Sequence, residues 1–253
     1  MPVPEIEKQA VLEEASFGAR VAEEEVDRLV DYFVETDQWK RVFSGDVDIV
    51  YGPKGSGKSA LYSLLARSSN ALFDRNIIMV AAEQPRGAPA FKDIVRDPPT
   101  TETEFIALWK LYFLCLLAEL LREYGVQTED ARRVLEYLQD AGLIEDERSS
   151  LQKLVRAVRD YARRLRDAEA VQGGATIDPA TGMITGVTGR ILMGEPTGEL
   201  ATGELVSVDS LFADANASLQ ELGFEVWLSL DRLDVAFADQ DELEANALRA
   251  LFK

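Results

Sequence analysis

The run Gly52-Pro53-Lys54-Gly55-Ser56-Gly57-Lys58-Ser59 carries the clearest chemistry in this sequence. Its spacing is Gly-x-x-x-x-Gly-Lys-Ser/Thr, and each residue type has one task toward a chain of phosphates. Gly52, Gly55 and Gly57 let the backbone curl with its N–H groups turned inward, where a side chain would block an approaching oxygen. A helix that starts inside the run, through Lys58, Ser59 and Ala60, adds unpaired N–H donors and the positive end of its dipole. Lys58 then reaches the outer phosphates, and the Ser59 hydroxyl is placed to ligate Mg²⁺. Chance is a weak rival, because four fixed positions of these types arise roughly once per hundred chains of this size. Lys54 stays open between touching phosphate and facing solvent.

The elements around the loop must hold it. Asp46 to Tyr51 is short, β-branched and followed at once by Gly-Pro, which predicts a strand running into a tight turn. From Lys58 to about Ser69, Leu61, Leu64 and Leu65 share one face of a helix. Asn76–Ala82 and Phe224–Leu230 read as two further buried strands. Helices are expected over about residues 5–36, with an apolar stripe from Val21 to Val34, and over Thr101–Tyr124, Thr128–Gln139 and Glu147–Ala170. Two more are expected, from Ser207 to Gly223 and from about Gln240 onward. Between Val171 and Glu204 the composition turns Gly- and Thr-rich around Asp178-Pro179-Ala180-Thr181-Gly182, which predicts a β-hairpin insertion or a loop. The expected domain plan is an N-terminal helical segment (1–45), the first half of an α/β core (46–100), a helical insertion (101–170), the Gly-rich insertion (171–206) and the second half of the core (207–253).

A phosphate loop needs a carboxylate that holds Mg²⁺ through its water shell, usually where a buried strand ends. Asp231 follows Val226, Trp227, Leu228 and Leu230, so it should emerge at the carboxyl edge of the sheet, where ligands of such folds collect. Asp234, three residues on, either orients the attacking water or is a carboxylate at a helix start. Trp39 and Phe43 either stack a base or belong to a core.

Composition limits the rest. Of 253 residues, 47% are hydrophobic, enough for a globular chain, and 27 Lys plus Arg against 45 Asp plus Glu leave a net charge of −18. That charge repels nucleic acid and anionic membranes. Phe105–Leu121 is apolar but contains Lys110 and Glu119, each of which costs about 3 kcal/mol at mid-bilayer, so it reads as a core helix. Cys115 sits among leucines as a small apolar group, and the N-terminus has no secretory pattern, so a cytoplasmic chain is expected.

The phosphate loop, Tyr32-Phe33-Val34-Glu35-Thr36 before it, and Trp227-Leu228-Ser229-Leu230-Asp231-Arg232-Leu233-Asp234 together resemble bacterial P-loop ATPases of the STAND and KAP-like branch in the additional-strand class. The resemblance implies a three-layer α/β/α core that binds and hydrolyses Mg-ATP. Gly52 to Ala60 would then hold phosphate, Lys58, Asp231 and Asp234 would be catalytic, and Ser59 and Asp231 would bind the metal. Val235 departs from the Glu that closes the Asp-x-x-Asp-Glu pattern of that branch. The resemblance further implies a strand between the loop strand and the acidic strand; with three strong strands in view, the sheet is expected to be completed beyond Lys253, and turnover by these residues alone to be slow. Partners follow from the same source: other copies or subunits engaged through regions past Lys253, with a role in antiviral defence as the analogy. The alternative is a nucleotide-dependent conformational switch. A small-molecule kinase would need a basic lid, and residues 171–204 hold Arg190 as their one basic residue.

Overall fold

The computed structural model describes residues 33–53, 55–82, 102–145, 151, 153–158, 160–161, 191–192, 206–231 and 241–253. The chain divides into two compact units, Met1–Arg67 and Ser68–Lys253.

In the first unit Thr36 sets the start of helix α1 (Asp37–Ser44). Its hydroxyl accepts the Trp39 N–H at 3.2 Å, and Asp37 places negative charge on the first turn. An N-cap takes extended dihedrals, so the helix expected over residues 5–36 does not run through Phe33–Thr36; its remainder lies outside the described residues. The helix closes when Asp46 N–H reaches back to Arg41 C=O at 2.9 Å and Gly45 N–H to Val42 C=O at 3.2 Å. Trp39 is buried between Phe33, edge-on at 5.3 Å, and Phe43, stacked at 5.4 Å. Its ring therefore serves packing, which settles the choice left by the sequence against base stacking.

Asp46–Tyr51, expected as a strand, is irregular. A strand exists through its ladder partner, and among the described residues this segment has none. Ile49, Val50 and Tyr51 are accordingly 54%, 43% and 93% exposed. Helix α2 (Lys58–Arg67) forms as expected and buries Tyr62, Leu64 and Leu65.

The second unit is organised by a long helix. Helix α3 (Ser69–Phe73) leads into strand β1 (Ile77–Ala81), and β1 pairs in parallel with β4 (Glu225–Ser229), Ile77 opposite Glu225 and Ala81 opposite Ser229. Both strands match the sequence reading. Alternate residues share a face, so Ile78 and Val80 lie beside Val226 and Leu228, and all four pack on the apolar core. That core is built on α4 (Glu102–Glu123), where Phe105, Leu108, Leu111, Tyr112, Cys115 and Leu121 are buried. A helix apolar on every side belongs inside the protein. No helix among the described residues is long and apolar enough to cross a membrane. Lys110 of α4 pairs with Asp209 at 2.6 Å, and Trp109 Nε1–H donates to Ala247 C=O at 3.0 Å. These bonds tie α4 to α6 (Val208–Glu221) and α7 (Asp241–Leu251). Burial, with the nearby Glu119 charge adding to it, pushes the Cys115 thiol far above its ordinary range, so it stays protonated and apolar.

Helix α5 (Glu129–Asp140) is capped by Thr128, which accepts the Ala131 N–H at 3.0 Å. Ser218 of α6 donates to Asp214 C=O, so the Thr128 hydroxyl donates to Ser218 Oγ at 2.7 Å. Arg133 reaches Asp214 at 2.8 Å across the same helix pair. Residues described between 151 and 161 are helical, within the helix expected over 147–170. Of the Gly-rich segment, β2 (Ile191–Leu192) is described and pairs with β3 (Val206–Ser207) in parallel, an arrangement that hairpin arms cannot have. Asp178–Gly182 lies outside the described residues. The observed class is thus mixed helix and strand with a small parallel sheet.

Removing the Thr128 hydroxyl loses a cap and a buried partner together. Thr128→Ala is expected to lower stability by about 1–2 kcal/mol, read as a lower urea midpoint at unchanged slope.

Candidate functional site

The loop between residue 51 and α2 turns on three glycines that are needed for two different reasons. Gly55 and Gly57 sit at φ 84° and 86°, in the left-handed region where other residues are strained, and a Cβ on either would meet nothing. Gly52 is needed for space, since a Cβ there would come within 2.7 Å of Ser56 Oγ. The turn closes on itself when Ser56 N–H donates to Pro53 C=O at 3.2 Å.

Lys58 joins the two ends of this turn. Its Nζ donates to Gly52 C=O at 2.8 Å and to Pro53 C=O at 3.1 Å, six and five residues back. An ammonium has three N–H donors, so the clamp leaves one for an incoming oxygen. At the start of α2 the first intrahelical donor is Leu61 N–H, bonded to Gly57 C=O at 3.0 Å. The amides of Lys58, Ser59 and Ala60 precede it and have no partner further back in the helix. The described helices α1, α5 and α6 carry Asp or Glu in their first turns, whereas α2, like the short α3, carries none. The positive dipole end at α2 is therefore left uncompensated by the helix's own carboxylates, which is what an anion would need there.

Gly52, Pro53, Gly55, Ser56, Gly57, Lys58, Ser59 and Ala60 are thus gathered in one turn, with Gly55, Ser56 and Gly57 exposed and Lys58, Ser59 and Ala60 partly so. Lys54 and Asp234 lie outside the described residues.

Asp231 belongs to the second unit and lies two residues past the end of β4, which stops at Ser229, short of the strand end expected at Leu230. Because β1 and β4 run parallel, their carboxyl ends lie at one edge of the sheet, where Ala82 N–H donates to Ser229 C=O at 2.9 Å. Two residues on, the Asp231 Oδ2 atom is enclosed and accepts no hydrogen bond from any described residue. An enclosed carboxylate oxygen without a donor is costly unless a cation or an ordered water faces it. Among the described residues no three His, Cys, Asp or Glu side chains gather as a metal cage. A divalent ion at Asp231 would draw most of its other oxygens from water, the usual habit of Mg²⁺.

The sequence reading missed Tyr112. Its hydroxyl donates to Ala82 C=O at the carboxyl end of β1. The available signal was one polar tip inside an apolar helical run. Comparison with protein-family models, with curated proteins and with solved structures finds no match.

The two kinds of glycine separate by experiment. Gly57→Ala forces a side chain into a left-handed conformation at a cost of about 1–2 kcal/mol, so binding of inorganic tripolyphosphate by calorimetry should weaken about 5- to 30-fold. Gly52→Ala should weaken it less, because the Ser56 hydroxyl can rotate aside.

Proposed function

We propose that this chain binds a nucleoside triphosphate, ATP in the first instance, as its Mg²⁺ complex and hydrolyses it slowly. The observation that carries this reading is the Lys58 clamp on Gly52 and Pro53, which ties the turn across its ends ahead of the acid-free start of α2. A turn already tied across its ends loses little freedom on binding, so its N–H donors act on the phosphates at small ordering cost. On this reading Ser59 is a metal ligand and Lys58 the group that balances charge on the outer phosphates. Asp231 enters as the second metal-binding group, supported by its enclosed Oδ2, to which no described residue donates. Asp234 and Lys54 enter on sequence alone.

The wider assignment follows the resemblance: a three-layer P-loop core of the STAND and KAP-like branch, working with further copies or subunits, in bacterial antiviral defence by analogy. Val235 stands where the resemblance has a Glu that would polarise water, and this favours a second reading in which nucleotide sets a conformation and turnover is marginal.

Titration of ATP and GTP against Trp fluorescence tests the binding, and phosphate release tests the turnover. Truncating a charged donor costs about 1.5–3 kcal/mol, so Lys58→Ala should weaken ATP roughly 10- to 100-fold. Equal affinity in wild type and Lys58→Ala would remove the reading. Turnover above about 1 s⁻¹ by the unassisted chain would remove its switch-like version.

A further inference from the structure

We propose that the aromatic patch of Phe73, Tyr124 and Phe224, at the amino edge of the β1–β4 pair, is a docking surface for an arginine-bearing basic segment of another protein. The patch lies wholly in the second unit and stands independently of the phosphate loop.

Three separate parts of the chain bring the rings together. Phe73 ends α3, Tyr124 follows α4 directly, and Phe224 immediately precedes β4. The ring centroids of Phe73 and Phe224 are 4.9 Å apart, and Tyr124 lies 6.3 Å from the first and 6.4 Å from the second. Glu225 N–H donates to Asn76 C=O at 2.9 Å, so the patch stands where both strands begin, at the edge opposite Asp231. Phe224 packs on the core and holds the cluster to it, while Phe73 and Tyr124 stay 44% and 40% exposed. Together with Leu222 they are three of the four large apolar side chains exposed among the described residues of this unit. Exposed apolar groups scattered singly are ordinary, but a contiguous group fed from three elements marks a contact surface.

Charge selects the partner. Within two residues of Phe73, Tyr124, Leu222 and Phe224 along the chain stand Asp74, Glu123, Glu221 and Glu225 against Arg75 and Arg122. Arg122 turns to the buried Glu119 at 3.3 Å, so part of its charge is met inside. Helix α6 ends here with no basic residue in its last turn, which leaves its negative dipole end uncompensated by its own side chains. Burial, and then the Glu123 charge, raise the Tyr124 phenol above its ordinary value, so the field of the rim reaches the ring. The surface is aromatic at its centre and acidic at its rim. A second copy would bring a like rim and a like net charge of −18 against it, and nucleic acid or an anionic membrane is repelled as well. A basic segment is attracted. Among basic side chains arginine suits both parts, because its planar guanidinium stacks on ring faces while its N–H groups reach carboxylates.

The probe is a short amidated peptide alternating arginine and glycine, matched by a lysine and glycine peptide of equal length and charge. Both are titrated against the full chain and followed through its amide shifts. The arginine peptide is expected to bind about 3- to 10-fold tighter, with shifts gathered at Phe73, Tyr124, Leu222 and Phe224. Phe73→Gln combined with Tyr124→Gln is expected to erase that preference and leave the weak binding common to both peptides. Equal binding of the two peptides by wild type overturns the proposal, since acidity alone then accounts for it. A preference that survives in the folded double variant overturns it too. Should the double variant not fold, the wild-type shifts decide, and shifts spread over other acidic surfaces sink the proposal. Sedimentation of the wild-type chain alone tests the remaining occupant: a dimer that Tyr124→Gln dissolves would assign the patch to a second copy and overturn the proposal.

Discussion

A lysine ammonium shared between two carbonyls of its own loop is the constraint on which the functional reading depends. Gly52 and Pro53 lie at one end of the turn and Lys58 at the other, so the two bonds fix the span between them. Within that span Gly55 and Gly57 take the left-handed conformations that turn the chain back toward α2. The clamp also disposes of the lysine's charge without a carboxylate. Carbonyl dipoles stabilise the cation but leave it a net positive group, whereas an Asp or Glu partner would have cancelled the attraction it offers to phosphate.

In the second unit the corresponding part is played by α4. Its apolar surface makes the core, yet its few polar tips are what fix neighbouring elements in register. Tyr112 holds the end of β1, Trp109 the backbone of α7 at Ala247, and Lys110 the first turn of α6 at Asp209. The Lys110–Asp209 pair is about 40% exposed on both sides and so adds at most about 1 kcal/mol. The other two bonds are buried, and their loss would strand a carbonyl in the core. Apolar packing brings these elements together, and the buried donors select one arrangement of them.

Much of this was legible in the sequence for a plain reason: the signals were local. Thr128 and Ser207 before their helices, Gly125 and Gly223 after theirs, and the short apolar runs in Ile77–Ala81 and Glu225–Ser229 are read within a few residues. The phosphate loop is equally local, since Gly, Gly, Lys and Ser act on one ligand within one turn. Asp46–Tyr51 was misread because its strand-like composition says nothing about whether a partner exists. Val34 was assigned to a helical stripe, but the Thr36 cap outranks periodicity over so short a stretch. Tyr112 was missed for the opposite reason. Its partner Ala82 is 30 residues away, and no spacing rule joins a tyrosine in an apolar helix to the end of a strand.

The chain's acidity, taken as an argument against nucleic acid, bears on the proposed ligand as well. A net charge of −18 opposes a bare triphosphate, but opposition between exposed charges fades beyond about 8 Å at physiological salt. What decides affinity is the field within that distance, and at the loop this comes from amides, the α2 dipole and Lys58. A carboxylate such as Asp231 would oppose a naked phosphate chain and assist one that arrives with its cation. On the proposed reading the enclosed Oδ2 is thus a discriminator. If Asp231 binds the metal as proposed, it would raise the cost of the free nucleotide and lower that of the magnesium complex, through an oxygen to which no described residue donates.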